Sequence, residues 1–436
     1  MAELEPVLRG TGPPVAGVPS RCRGAGNDLQ SPLQPGGSAP CGAAATGRPG
    51  QPFRKMNTLI LLQPKRIIFG DGTSRTAPEE FLRQGWKRLF VITSPQVAGA
   101  QAALVGSWRS AGIEVTVCQL VDREPEIALF DQVMTAARAA SPDVIVGFGG
   151  GSAIDVSKLV AALYDGREQV RAVFGIGLLK ARALPLACIA TTAGTGADVS
   201  PAAILLDEAE RLKKGVVSPH LVPDLAICDP ELTYSMPPAV TAASGIDALV
   251  HCMEAYANKH AHPIVDVYAL EGIRRIGRSM ETVVRDGANR AARADVMLGA
   301  LYGGLCLGPV NTAAVHALSY PLGGEYRIAH GVANSLLMPH VFRFNLPAMP
   351  ERYADIARAL GCPPEASALL TAEAGLRRLA EMSRHCGIPQ RLRDVNVPET
   401  DLTRLATEAM KVTRLLRNNP RDLTAADAER IYREAY

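Results

Sequence analysis

The chain has 436 residues, 47% hydrophobic and 20% charged, with a formal net charge of +3. That length supplies a large core and favours two domains or more, while the near-neutral balance excludes a polybasic nucleic-acid surface and an acidic disordered chain, leaving small molecules and copies of itself as partners. Nine cysteines with no C-x-x-C pair exclude a zinc ribbon and a disulfide framework and point to reduced thiols in the cytoplasm; the lack of a run of about eighteen uncharged apolar residues excludes a membrane span.

Residues 1–55 are rich in Gly, Pro, Ala and Ser and show neither a period of 2 nor one of 3.6, which predicts a disordered extension. They carry no continuous apolar stretch of the secretory kind, and Glu3, Glu5 and Asp28 argue against an organellar transit peptide. Patterned sequence opens at Met56. From there short apolar runs, "RLFVITS", "EVTVCQLV", "DVIVGFGG" and "PLACIAT", read as strands, and "IALFDQVMTAARAA" and "AIDVSKLVAALYD" between them read as helices. Such alternation predicts a parallel sheet wrapped by helices over residues 56–237. Strand signals then fade, and "AVTAASGIDALVHCMEAYA", "VDVYALEGIRRIGRSMETVVR", "ADVMLGALYGGLCLG" and "SALLTAEAGLRRLAEMSRHC" predict an all-helical second half over 238–436, with a ligand cleft between the halves.

The first half offers a nucleotide cradle. In "DVIVGFGGGSAIDVSK" an apolar strand runs into Gly149, Gly150, Gly151 and Ser152 and then into a helix, so bare backbone and a helix N-terminus face the same point, as a pyrophosphate requires. A tight connection would use the same glycines. Asp155 and Lys158 on the new helix read as a solvated pair. In "CIATTAGTGADVS", Thr191, Thr192 and Thr195 put hydroxyls at the end of another strand, suited to ribose or phosphate or simply to a helix cap.

The second half offers metal ligands. Asp247 and His251 are four apart in a helical pattern and so leave one face a turn apart, a spacing shared by ligand pairs and ordinary surface pairs. His316 lies in an apolar helical pattern. His330 stands fourteen residues later, beyond Tyr320 and a Pro-Leu-Gly-Gly turn. Three imidazoles and a carboxylate suit Fe2+ or Zn2+ with a position left for a substrate oxygen. His220, His260, His262, His340 and His385 have no comparable spacing and read as surface or core residues.

Taken in order, "GGGSAIDVSK", "TTAGTGADVS", "DALVHCMEAY" and "HALSYPLGGEYRIAHGVAN" resemble the iron-containing (group III) alcohol dehydrogenase family, from about Pro64 to near the C-terminus. The resemblance implies the dehydroquinate synthase-like architecture, an α/β dinucleotide-binding domain followed by an all-α domain, with the metal at the cleft. It places the metal ligands on Asp247, His251, His316 and His330, the pyrophosphate loop on Gly149, Gly150, Gly151 and Ser152, nicotinamide and ribose contacts on Thr191, Thr192 and Thr195, and a cofactor-contacting lysine on Lys213. It implies a homo-oligomer that moves a hydride between a primary alcohol or aldehyde and NAD or NADP, using Fe2+ or else Zn2+.

Three positions depart from the family pattern. Tyr320 stands where many members carry a proton-relaying histidine, and tyrosine, with an ordinary pKa of about 10, is a poor base at neutral pH. Ser94 stands at or near the acid by which NAD-preferring members bond the adenosine ribose, so NADP is an expected cofactor too. Ala202 replaces an amide found in relatives that act on small diols. An alternative keeps the fold and changes the substrate to a carboxylate-bearing alcohol, as in hydroxyacid–oxoacid transhydrogenase or 4-hydroxybutyrate dehydrogenase, with Arg327 as the carboxylate clamp. Further alternatives are a dehydroquinate synthase-like lyase and a non-catalytic nucleotide-binding protein with a structural metal.

Overall fold

The computed structural model describes residues 58–210 and 212–436. The expected disordered extension over residues 1–55 lies outside them. Six strands form one parallel sheet: β1 (Arg66–Phe69), β2 (Arg88–Thr93), β3 (Glu114–Cys118), β4 (Val144–Gly149), β6 (Leu186–Ala190) and β9 (Leu225–Cys228), in the order β1-β9-β6-β4-β2-β3. β4 and β6 are buried along their whole length, which is why they read as unbroken apolar runs: a central parallel strand has no solvent face. Along β2 the side chains alternate between two cores. Leu89 and Val91 join Phe81, Trp108 and Phe148 on one side; Phe90 and Ile92 join Phe130, Val133 and Leu159 on the other. The second core runs on without a break into the helical half, as far as Tyr432.

Helices α1 (Ala77–Arg83), α2 (Ala98–Ser110), α3 (Ile127–Ala140) and α4 (Gly151–Leu163) cover the sheet. The chain runs from β2 outward to β3, then returns past β2 to β4, so the sheet changes winding direction between β2 and β4. Crevices at the carboxyl ends of strands beside such a reversal are where ligands bind in these sheets, and the Gly149–Ser152 loop opens there.

A second, three-stranded sheet was not legible in the sequence. β7 (Ala202–Asp207) and β8 (Leu212–Val217) pair antiparallel, with the short β5 (Gly175–Ile176) along β8. β8 reads "LKKGVV", and two lysines and a glycine hide its period. This hairpin explains a reversed expectation. Lys158 is no solvated partner of Asp155: it is fully buried, and its Nζ donates to the carbonyl oxygens of Ser200 (2.7 Å) and Ala202 (2.8 Å), tying α4 to the start of β7. A buried ammonium is tolerated only with such acceptors.

The rest is helical: α5 (Pro238–Tyr256), α6 (Pro263–Arg285), α7 (Arg290–Leu307), α8 (Ala314–Tyr326), α9 (His330–Asn345), α10 (Pro350–Ala359), α11 (Ala368–His385), α12 (Leu402–Ala409), α13 (Thr413–Leu416) and α14 (Ala425–Glu434). The expected turn at Pro321–Gly324 is instead the last part of α8, buried through Gly323; packing there outweighs the helix-breaking tendency of Pro and Gly. No helix among the described residues is long and apolar enough to cross a membrane, and the seven described cysteines are unpaired.

Candidate metal centre and nucleotide cleft

α5 brings Asp247 and His251 to one face, and both are buried, at 2% and 4% exposure. α8 and α9 deliver His316 and His330 to the same point. The Nε2 atoms of His316, His330 and His251 lie 3.5, 3.8 and 3.9 Å from Oδ1 of Asp247. Donor atoms each about 2.1 Å from a shared ion, at tetrahedral angles, stand about 3.4 Å apart, so these spacings are close to those of a ligand set. The His251 and His316 rings stack with centroids 4.7 Å apart, and the His330 ring stands 5.2 Å from that of His316. His316 Nε2 is buried without a hydrogen-bond partner, which marks the lone pair an ion would take.

Charge in the cage favours a cation. Burial alone would drive the Asp247 carboxyl up, but the histidines around it hold it below the carboxylate range. Burial pushes His251 down to about 4. Burial acts the same way on His316, yet Glu254 and Asp247 beside it win and raise it to about 9. Two carboxylates beside the imidazoles thus give the cage negative charge that a divalent ion would neutralise. The donor set fits the metal.

Two supporting residues escaped the sequence reading. Glu254 accepts from His316 Nδ1 (2.6 Å), from the backbone N–H of Val315 (2.6 Å) and from that of Ala313 (2.9 Å), so one carboxylate orients the imidazole and satisfies the start of α8. Its signal was available: Asp247, His251 and Glu254 follow the 4-3 spacing of a single helix face. Asn334, four residues after His330, donates to Asp247 Oδ1 at 2.7 Å. Gly331 is what lets α9 come this close, since a Cβ there would sit 2.1 Å from the Ala243 carbonyl oxygen on α5.

Across the cleft, Gly151 starts α4 against the Thr195 loop; a Cβ on it would lie 2.7 Å from Thr195 Cγ2. The two loops are joined by the Thr191 N–H donating to the Gly149 carbonyl at 3.0 Å, and Gly150 faces the Thr192 side chain. A cavity of about 190 Å³ is lined from both sides, by Gly151, Ser152, Asp155, Thr195 and Lys213 and by Asp247, His251, His316, Tyr320 and His330. Lys213, on β8, is 3% exposed and pairs with Glu124 at 2.9 Å. Burial pushes Asp155 up to about 7. Gly149, Gly150, Thr191 and Thr192 do not line this cavity, nor does Ser94, which follows the end of β2. Ala202 is on the wall. Arg327, the carboxylate clamp of the alternative reading, is an exposed arginine at the C-terminal end of α8 and does not line the cavity; the other five histidines do not line it either.

Family models match most of the chain: "Iron-containing alcohol dehydrogenase" over residues 64–230 and "Fe-containing alcohol dehydrogenase family, C-terminal" over residues 241–436. The chain is 38% identical over 385 residues to long-chain-alcohol dehydrogenase 1 of Geobacillus thermodenitrificans, covering 85% of this chain and 96% of that one. A crystal structure of 1,3-propanediol oxidoreductase superposes with a TM-score of 0.84 at 34% identity, covering 87% of this chain and all of that one (100%). Sulfoacetaldehyde reductase from Bifidobacterium kashiwanohense, solved in complex with NAD+, superposes with a TM-score of 0.78 at 27% identity, covering 87% and 99%.

Proposed function

The chain belongs to the iron-containing alcohol dehydrogenase family and is an oxidoreductase of alcohols and aldehydes; from that premise we propose that Asp247, His251, His316 and His330 hold one divalent cation, iron with zinc as the alternative, beside a nicotinamide cofactor seated on the Gly149–Ser152 loop. What supports this reading above all is a single cavity lined at once by the donor cluster and by Gly151, Ser152, Thr195 and Lys213. When bound, the cation supplies positive charge that favours the deprotonated form of a substrate hydroxyl, and the nicotinamide supplies the hydride acceptor or donor.

The protein's own groups position and exclude. The N-terminus of α4 would hold the cofactor's diphosphate on its N–H groups, with Gly151 leaving the backbone bare. Thr195 and Lys213, which line the cavity, would contact the nicotinamide half, and the Glu124–Lys213 pair stands on the same wall. Glu254 keeps His316 in the tautomer whose Nε2 is free to ligate. Tyr320 Oη accepts from Arg414 Nη2 at 3.3 Å, which leaves the phenol's own proton to donate into the cavity. Tyr320 thus orients a substrate oxygen without having to abstract a proton. Ser94 at the end of β2 presents no carboxylate to repel a 2′-phosphate, so the reading includes both NAD and NADP. It also includes a cytoplasmic setting, on the scattered unpaired cysteines, and self-association, on the family resemblance.

The test is elemental analysis of the purified full-length protein, combined with a panel of primary alcohols and aldehydes assayed with NAD and NADP before and after chelation. About one iron or zinc per chain, with activity lost on chelation and restored by the metal, is the expected result. Full activity in chelator-stripped protein overturns the metal reading, and bound metal without alcohol-dependent NAD(P)H formation leaves only a structural site.

A further inference from the structure

The cavity wall carries several charged side chains, and all but one are already matched. Glu124 and Lys213 neutralise each other at 2.9 Å. Asp155 accepts the Ile204 N–H at 3.0 Å. Asp247 belongs to the histidine cage. Arg414 remains: it lines the cavity, forms no ion pair with a described carboxylate, and its Nη2 donates to the neutral Tyr320 hydroxyl at 3.3 Å. A half-buried guanidinium with unused donors is an oxyanion receptor in want of an oxyanion.

Its placement is rigid. Arg414 lies on the short α13, and four residues on, buried Asn418 donates to the carbonyl of Thr312, itself a cavity residue, at 2.8 Å and accepts the Lys259 N–H on its own carbonyl at 2.9 Å. Asn419 is locked to Asn345 by reciprocal amide bonds of 2.7 and 2.8 Å. Gly215 on β8 leaves the room the side chain occupies, since a Cβ there would approach Arg414 Nη2 to 3.3 Å. One tyrosine separates the guanidinium from the histidine cage: the Tyr320 ring lies 6.1 Å from that of His330 and its hydroxyl contacts Arg414.

We propose that Arg414 is a specificity-determining residue, receiving an acid group, carboxylate or sulfonate, carried by the substrate at the end remote from its reacting carbon. The preferred substrates are then short hydroxy acids and the corresponding oxo acids. This rests on the reading of the cavity as the alcohol site, and it places the acid receptor on a residue nearly ninety positions beyond exposed Arg327, the candidate clamp of the alternative reading.

The experiment has two arms on the full-length protein. Calorimetry compares butanoate with butanamide, neither of which carries the reacting hydroxyl; kinetics compares 4-hydroxybutanoate and 3-hydroxypropane-1-sulfonate with the neutral isostere 4-hydroxybutanamide. The wild type is expected to favour the acid in both arms, by about tenfold or more. Arg414→Ala should erase that preference, Arg414→Lys should restore part of it, and the larger Arg414 dependence of the two acids identifies carboxylate or sulfonate. Equal binding of butanoate and butanamide by the wild type, or equal loss on acid and amide in Arg414→Ala, overturns the proposal. Acid-selective binding without turnover of any alcohol would instead sink the enzymatic reading and leave the receptor standing.

Discussion

The two walls of the cleft are built on opposite plans. The α/β wall offers the ligand an absence, glycines at a strand end and the open N–H groups of α4, whereas the helical wall offers side chains, three histidines from three helices meeting around Asp247. A backbone site is assembled within one strand–loop–helix unit. A side-chain site depends on three helices keeping register with one another, which is why Glu254, Asn334 and Gly331 are spent on holding them. The comparison teaches that damage to the two walls should separate into cofactor affinity on one side and metal content on the other.

The sharpest break is His316→Ala. It should abolish stoichiometric metal by elemental analysis and lower kcat by about a thousandfold or more, as loss of several kcal/mol of charge stabilisation implies, while NAD binding followed by fluorescence stays near that of the wild type. A matching collapse in NAD affinity would show that the walls are not independent. Next comes Glu254→Gln. Metal affinity should fall by about 10–100-fold, measured by competition with a chromogenic chelator, with the folded far-ultraviolet spectrum retained. Unchanged affinity would reduce Glu254 to a cap for α8.

On the other wall, Gly151→Ala must push Thr195 aside, and an overpacking cost of about 1–3 kcal/mol predicts a KM for the cofactor raised by roughly tenfold at unchanged metal content. Lost metal in that variant would again break the division. The smallest effect belongs to Tyr320→Phe. With no proton to abstract, its loss should cost kcat less than about tenfold and leave the pH profile in place, whereas a drop of a hundredfold or more with a flattened alkaline limb would make it a proton carrier.

The local unit was legible early: β4, the Gly149–Ser152 turn and α4 follow from an apolar run, glycines and a helical period lying next to each other in the chain. The helical character of the second half was equally plain, because amphipathic spacing is repeated over long stretches. Where readings failed, tertiary packing had overruled local signals. Pro321 and Gly323 sit inside α8 because that segment is buried, and Lys158 is interior because β7 brings it two carbonyl acceptors. Sequence alone thus determined the strand–turn–helix unit with its bare glycines and the residue types available as metal donors, since those depend on neighbours in the chain. Only the tertiary structure decided that Glu254 holds His316 and that Arg414, not Arg327, reaches the cavity, because both facts turn on contacts between segments whose separation leaves no periodic trace.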